Sequence, residues 1–269
     1  MTGMKFGGYA EYICLPEKGT IAVKPENVTC EEAASISFGG TTALHFFRKG
    51  NIQAGQKVLI YGASGAVGTA AVQLASYYGA EVTGVCSAKN SELVKSLGAN
   101  HVVNYQTEGF IKKGKRYDLI FDAVGKITKN QCKEALALNG QFVSVEGQGI
   151  AKVETKDLLF LKKLMQEERI KSVIDRRYSL EQIPEAHEYV ETGHKIGSVV
   201  VTFNIVKKRI SLKDPLFYDI KRYSPPLIQS SRGSPTRFFP IHSLAILLEG
   251  PIAMPALASR NKRSIGPFL

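Results

Sequence analysis

The sequence predicts an α/β protein built on a doubly wound parallel sheet. Two observations support this fold class: apolar strands alternate regularly with helices, and a glycine-rich turn joins one strand to an alanine-rich helix. Strand, helix and strand in this rhythm produce a parallel sheet with right-handed crossovers. At 269 residues, of which 44% are hydrophobic, the chain can bury such a sheet together with part of a second domain.

The glycine-rich turn predicts a dinucleotide site. An apolar strand over 58–61 enters the turn, and an alanine-rich helix over 69–78 and a second strand over 81–86 follow it. Glycines at this spacing allow a sharp turn, bring backbone N–H groups against a pyrophosphate and pack the helix close to the strand. The positive end of the helix dipole then faces the anion. The turn residues predicted to bind are Gly62, Ser64, Gly65, Ala66, Val67 and Gly68.

The rest of the body continues the alternation. We predict helices over 91–97 and 128–138, strands over 101–104, 117–122 and 141–145, and a polar helix or loop over 108–115. Ligands of such sheets bind at the carboxyl ends of the strands. That edge is therefore expected to carry the glycine turn, residues 86–89, Val124 and the residues around Val145.

Six segments occur in a fixed order within residues 3–204. They are FGGYAEY at 6–12, EAAS at 32–35, GGTTAL at 39–44, GASGAVG at 62–68, LGA at 97–99 and YDLIFDAVG at 117–125. In this order they resemble the medium-chain dehydrogenase/reductase superfamily, and within it the quinone oxidoreductase and zinc-independent alcohol dehydrogenase branch. The resemblance implies an NAD(P)-binding Rossmann domain at 39–165. It implies a remnant of a GroES-like β catalytic domain at 1–38 and a return to that domain at 166–204.

The function implied by the resemblance is hydride transfer. An oxidoreductase of this type uses NAD(P)H to reduce, or NAD(P) to oxidise, a quinone, an enone or an alcohol/carbonyl substrate, and the cofactor carries the chemistry. Relatives have a long catalytic segment before the FGGYAEY-like segment and stop near Asn204, so we expect a truncated chain with impaired activity. The alternative is a non-catalytic NADP(H)-binding module or an inactive gene fragment. No catalytic residue is assigned.

The cofactor preference follows from charge. Folds selective for NAD place an acid at the end of the second strand, where it would repel a 2′-phosphate. Residues 86–89 read CSAK and contain no acid, so Ser87 and Lys89 predict NADP(H), with NAD(H) as the alternative. The resemblance also implies that Tyr105 lies against the adenosine phosphate. The competing interpretation is a solvated lysine and a surface tyrosine.

Three further residues are expected beside the nicotinamide. The resemblance implies this place for Thr42, although a threonine that opens a helix is also a good cap. Phe142 and Val145 could form an apolar wall of the site, although such residues would face the core of any parallel sheet. These alternatives stay open at the level of the sequence.

The charge and the cysteines limit the partners. The net charge is +11, but residues 205–269 hold 11 of the 35 Lys and Arg, 3 of the 24 Asp and Glu, and 8 of the 11 prolines. We therefore expect an atypical basic, proline-rich and disordered tail, and a nearly neutral body that does not bind nucleic acid. Four scattered cysteines without a CxxC pair predict reduced thiols and no zinc.

No uninterrupted apolar run is long enough to span a bilayer, and the N-terminus does not have the pattern of a signal peptide. We expect a cytoplasmic protein that acts on a small-molecule substrate without binding a membrane. The resemblance leaves a homodimer open.

Overall fold

The computed structural model describes residues 12–16, 19–110, 114–202, 236–240 and 246–248. In chain order its elements are β1 (Tyr12–Pro16), α1 (Cys30–Lys49), β2 (Lys57–Tyr61), α2 (Ala66–Tyr77), β3 (Glu81–Cys86), α3 (Ser91–Ser96), β4 (His101–Asn104), β5 (Tyr117–Asp122), α4 (Lys129–Cys132), β6 (Leu136–Ser144), α5 (Thr155–Gln166), β7 (Ile174–Ser179), α6 (Ile183–Glu191), β8 (Ser198–Thr202), β9 (Thr236–Pro240) and β10 (Ile246–Leu248). Short 3₁₀ turns precede α3, follow α4 and precede α6.

The central sheet has five parallel strands in the order β4-β3-β2-β5-β6. The chain leaves β2 for β3 and β4 on one side and then crosses back to β5 and β6 on the other. The strand order therefore reverses at β2, the place where ligands bind in open α/β sheets. This arrangement confirms the predicted doubly wound parallel sheet.

Both faces of the central sheet are covered. The larger core cluster packs α1, α2, α3 and α5 on one face, and its largest members include Phe46, Leu74, Phe121 and Leu161. The smaller cluster lies on the opposite face, where Leu59 and Ile120 meet the region of α4. Because successive strand residues point to opposite faces, Ile120 and Phe121 belong to different clusters.

Most predicted elements are observed, with two differences in extent. Helix α2 begins at Ala66, so the last three residues of the glycine-rich turn are already helical. The helix predicted over 128–138 is wrong beyond Cys132, because Leu136 already pairs with Tyr117 as the first residue of β6. A bulge follows, since Asn139 has φ 68° and the regular register resumes at Gln141.

One predicted domain limit falls inside a helix of the structure, and the other falls near the end of a helix. The limit between residues 38 and 39 falls inside α1, because Cys30–Lys49 is one continuous helix. The limit at 165 lies one residue before the end of α5. Beyond it, α6 and β8 lie in the range 166–204 predicted as the return to the catalytic domain, and β8 lies between β7 and β10 in a three-stranded sheet.

Two segments of the 205–269 range are strands. Strand β9 pairs antiparallel with β1, and β10 pairs antiparallel with β8. An antiparallel partner satisfies backbone groups of each segment, and the Phe and Ile that they contain favour strands. The other residues of the predicted tail lie outside the described part of the chain.

Cys86 and Cys132 are buried, and neither is paired in a disulfide within the described part of the chain. Burial raises the pKa of the Cys132 thiol to about 11, so this sulfur stays protonated near neutral pH. No helix in the described part of the chain is long and apolar enough to cross a membrane.

Candidate functional site

The glycine turn is folded over the end of β3. Gly62 has φ 80°, a left-handed conformation that suits glycine. The N–H groups of Gly62 and Ala63 both donate to the carbonyl of Val85, at 3.1 and 2.9 Å, and the N–H of Gly65 donates to the carbonyl of Gly62 at 3.1 Å. These bonds close the turn with backbone atoms alone.

The N-terminus of α2 is not neutralised by side chains. Gly65 is the N-cap residue and offers no side-chain hydrogen bond, and the first turn of the helix contains no acidic residue. The first N–H groups of a helix have no partner within the helix and carry a partial positive charge. The end of this 12-residue helix therefore offers donors and a positive field to an anion.

The two glycines beside this helix end have different roles. A Cβ on Gly68 would lie 2.0 Å from the carbonyl oxygen of Gly62, so the packing of the turn requires glycine there. A Cβ on Gly65 would meet only that same oxygen, at 3.6 Å, and would otherwise project into open space. A side chain at Gly65 would therefore project into the open space in front of the helix end.

Ser64 is held by two segments that the sequence analysis did not connect with the turn. The amide Nδ2 of Asn90 donates to the hydroxyl of Ser64 at 3.0 Å, and the backbone N–H of Gly197 donates to the carbonyl of Ser64 at 2.8 Å. Gly65 and Gly197 also form an isolated parallel bridge. Neither contact has a signal in the local sequence, because both join residues from separate elements.

Two of the residues predicted for the 2′-phosphate, Ser87 and Lys89, lie in the loop after β3, and the third, Tyr105, directly follows β4. Ser87 is buried, Lys89 is exposed and Tyr105 is 49% exposed. The backbone N–H of Tyr105 donates to the carbonyl of Cys86 at 3.2 Å, which places Tyr105 beside this loop. No ion pair joins Lys89 to another residue of the described ranges, and no carboxylate occurs in the loop 86–90.

Asp122, the last residue of β5, organises the neighbouring loop. Its carboxylate is fully buried and accepts hydrogen bonds from the N–H groups of Val124, Gly125 and Ile127 at 3.2, 2.9 and 3.1 Å, and from the Ser144 hydroxyl at 3.1 Å. The loop carries Val124 next to the glycine turn, where a Cβ on Gly62 would lie 2.6 Å from Val124 Cγ1.

The residues predicted beside the nicotinamide are not all brought together. Thr42 is buried in the interior of α1, so the alternative of a helix cap is wrong. It lies one turn after Gly39, where a Cβ would meet the carbonyl of Ala66 at 2.3 Å, so this part of α1 packs on the start of α2. Val145 packs against the larger core cluster and Phe142 against the smaller one, so they do not form one wall.

His45 is a titratable group on the same helix as Thr42. Its Nδ1 accepts a hydrogen bond from the backbone N–H of Lys152 at 3.2 Å. Burial, together with the positive charges of Arg48 and Lys49, lowers the pKa of this imidazole. Among residues 19–110 and 114–202, no group of three or more His, Cys, Asp or Glu side chains could hold a metal ion.

Comparison with known proteins places this geometry in a family. Residues 66–192 match the family described as zinc-binding dehydrogenase. The chain is 31% identical over 229 residues to the chloroplast envelope quinone oxidoreductase homolog of Arabidopsis thaliana, with 72% of this chain and 68% of that protein covered. It is 32% identical over 208 residues to the chloroplastic NADPH-dependent alkenal/one oxidoreductase of the same plant.

That second alignment covers 73% of this chain but 53% of the plant protein, so the chain spans about half the length of this relative. Among solved structures, the quinone oxidoreductase from Coxiella burnetii superposes with a TM-score of 0.63 at 30% identity, covering 67% of this chain and 63% of that one. The fold, the glycine turn and these similarities agree. The chain belongs to the medium-chain dehydrogenase/reductase superfamily, among its quinone oxidoreductase-like members.

Proposed function

We propose that this chain binds NADP(H) at the carboxyl edge of its parallel sheet and acts in an NAD(P)H-dependent oxidoreductase. The observation that carries the proposal is the uncapped N-terminus of α2 behind Gly65, at the point where the strand order reverses. Donors, a positive field and open space coincide there. The family of the chain supplies the chemical context, since its relatives are named as oxidoreductases.

The preference for NADP(H) over NAD(H) rests on the loop after β3. Ser87 and Lys89 offer a hydroxyl and an ammonium where NAD-selective folds have an acid, and Tyr105 lies beside them. A cation with no partner among the described residues can meet a phosphate without breaking an existing ion pair. The name of one plant relative, an NADPH-dependent oxidoreductase, agrees with this preference.

The proposed reaction is hydride transfer with a quinone, an enone or an alcohol/carbonyl substrate. The bound nicotinamide supplies the hydride chemistry. The chain holds the dinucleotide through the turn and the helix end, and the buried side of α1 that carries Thr42 excludes water from one side. We propose that zinc takes no part, because residues 19–110 and 114–202 contain no set of side chains able to ligate it.

Titration with NADPH, followed by nicotinamide fluorescence, tests the cofactor site. Gly65→Val fills the space in front of the helix end, so we expect the affinity to fall at least roughly tenfold through lost hydrogen bonds to a charged group. Ser76→Val places the same side chain near the other end of α2, on an exposed position, and should bind as the wild type does. Unchanged affinity in Gly65→Val would contradict the assignment.

Oxidation of NADPH in the presence of a quinone or an enone tests the reaction. Turnover that persists after treatment with a chelator, with no zinc detected by elemental analysis, supports a zinc-independent oxidoreductase. Tight NADPH binding without turnover supports the alternative, a non-catalytic NADP(H)-binding module. Zinc-dependent turnover would contradict the proposed mechanism.

The division into a central cofactor domain and flanking catalytic segments belongs to the same proposal. It is supported by the separate sheet that β7 and β8 form with β10. The homodimer and the cytoplasmic compartment stay predictions, which sedimentation of the purified protein and cell fractionation would test.

A further inference from the structure

The hydroxyl of Ser64 accepts one hydrogen bond and keeps its proton to donate. An amide nitrogen can only donate, so the oxygen of Ser64 must accept the hydrogen bond from Asn90 Nδ2 at 3.0 Å. The proton of the hydroxyl is then left to donate elsewhere. Ser64 is half-buried in the turn that leads into the uncapped end of α2, and the bond from Gly197 holds its carbonyl.

The side chain of Asn90 has no ordinary structural explanation. Asn90 is the N-cap residue of α3, yet its side chain makes no capping hydrogen bond. It is only 5% exposed, and its Oδ1 is buried without a hydrogen-bond partner among the described residues. A buried amide with an unsatisfied oxygen destabilises a fold compared with an apolar side chain of the same shape. Its one side-chain hydrogen bond in this part of the chain is the one to Ser64.

Asn90 also connects the loop after β3 with the glycine turn. Its backbone N–H donates to the carbonyl of Ser87 at 3.0 Å, and Lys89 is the residue before it. The same residue therefore touches the loop predicted for the 2′-phosphate through its backbone and the glycine turn through its side chain.

We propose that Asn90 is a positioning residue that turns the Ser64 hydroxyl into a donor for the pyrophosphate of the cofactor. The inference rests on the proposed function and deepens it. Asn90 itself does not touch the dinucleotide, because its unpartnered oxygen is buried. It fixes the direction of the Ser64 proton, which would otherwise be free to rotate toward solvent.

A double-mutant cycle with two ligands tests the proposal. The variants are Ser64→Ala, Asn90→Leu, which has the same branched shape without polar atoms, and the double variant. The ligands are NADPH and 2′-AMP, which keeps the adenosine 2′-phosphate but has no pyrophosphate. Calorimetric titration gives the affinity of each pair, and thermal melting shows that each variant is folded.

We expect each single substitution to weaken NADPH by roughly tenfold, the double variant to bind as Ser64→Ala does, and 2′-AMP to bind all variants alike. Ser64→Thr, which keeps the hydroxyl, should restore NADPH affinity. Parallel losses for both ligands in Asn90→Leu would show that Asn90 acts through the Ser87 loop, and additive losses would show that it does not act through Ser64. Either result overturns the proposal.

The test does not depend on Asn90→Leu being folded. If Ser64→Ala binds NADPH as tightly as the wild type, the hydroxyl is no donor to the pyrophosphate and the proposal is wrong, whatever Asn90 variants do. If the wild type binds neither NADPH nor 2′-AMP, the proposed cofactor site itself is wrong. The two failures are therefore distinct.

Discussion

The glycine turn between β2 and α2 and the loop between β3 and α3 lie side by side at one edge of the sheet, but they are built differently. The turn is closed by backbone hydrogen bonds among Gly62, Ala63, Gly65 and Val85. The loop presents side chains, with Lys89 exposed and Ser87 buried. Every dinucleotide has a pyrophosphate, whereas only NADP(H) has a 2′-phosphate. Backbone geometry therefore suits the shared group, and side chains suit the group that distinguishes the two cofactors.

The largest expected effect is a loss of stability at Gly68, the glycine that the packing of the turn requires, compared with a small change at Gly65. Gly68→Ala places a Cβ against the Gly62 carbonyl oxygen, and backbone on both sides cannot yield, so we expect a loss of about 3 kcal/mol in the free energy of unfolding. Gly65→Ala has space and a negative φ of −80°, and should change stability by less than about 1 kcal/mol. Urea unfolding measures both. Equal losses of unfolding free energy in the two variants would show that Gly68 is no more important than Gly65 for the packing of the turn.

A second prediction extends the comparison to the loop that carries Val124. Asp122→Ala leaves three backbone N–H groups and the Ser144 hydroxyl without their acceptor, which should cost about 2 kcal/mol or more of stability. Asp118→Ala is the matched control on the same strand, because Asp118 accepts from Lys57 N–H near solvent. Urea unfolding of both variants should show the larger loss at Asp122. A larger loss at Asp118 would contradict this assignment.

A third prediction concerns the side chains of the loop between β3 and α3. Ser87→Ala combined with Lys89→Ala should weaken NADPH by roughly tenfold or more, since a hydrogen bond to a charged group is worth about 1.5–3 kcal/mol, and should leave NADH nearly unchanged. Lys95→Ala, an exposed lysine on α3, serves as the control. Fluorescence titration with both cofactors measures the ratio. If the affinities for NADPH and NADH fall equally, Lys89 does not bind the 2′-phosphate.

The smallest expected effect concerns the ion pair between Arg48 and Asp157, which lies outside the glycine turn and the loop after β3. Burial alone would raise the pKa of Asp157, but hydrogen bonds from Arg48 and from the Glu154 backbone, with the Arg48 charge, bring that pKa below its usual 3.8. A lowered pKa stabilises the fold above the unfolded-state value, and the stabilisation is lost as pH falls through the folded-state value. The difference in urea midpoint between wild type and Arg48→Leu should therefore stay constant near neutral pH and shrink below about pH 4. A difference in urea midpoint that grows in acid would contradict the lowered pKa of Asp157.

The fold was predictable from sequence where local pattern and tertiary context agree. Strands β3, β4 and β5 have the predicted limits, because their apolar runs end at clear turn residues. The region 133–140 was misjudged, since its helical pattern gives way to pairing of Leu136 with Tyr117, a contact made across the sheet. The backbone part of the site was visible in its glycines. The hydrogen bonds of Asn90 and Gly197 to Ser64 were not, because each depends on where a different element lies after folding.

The bond between Gly197 and Ser64 closes a loop that contains β3, β4, β5 and β6, four of the five strands of the central sheet. Because these two residues lie far apart in the chain, closing the loop costs more conformational entropy than closing a local turn. The same bond ties the turn to β8 in the native state. A dinucleotide bound at the turn would raise the free energy of local opening there, and the amide hydrogen of Gly197 would then exchange more slowly although no part of that residue need touch the ligand.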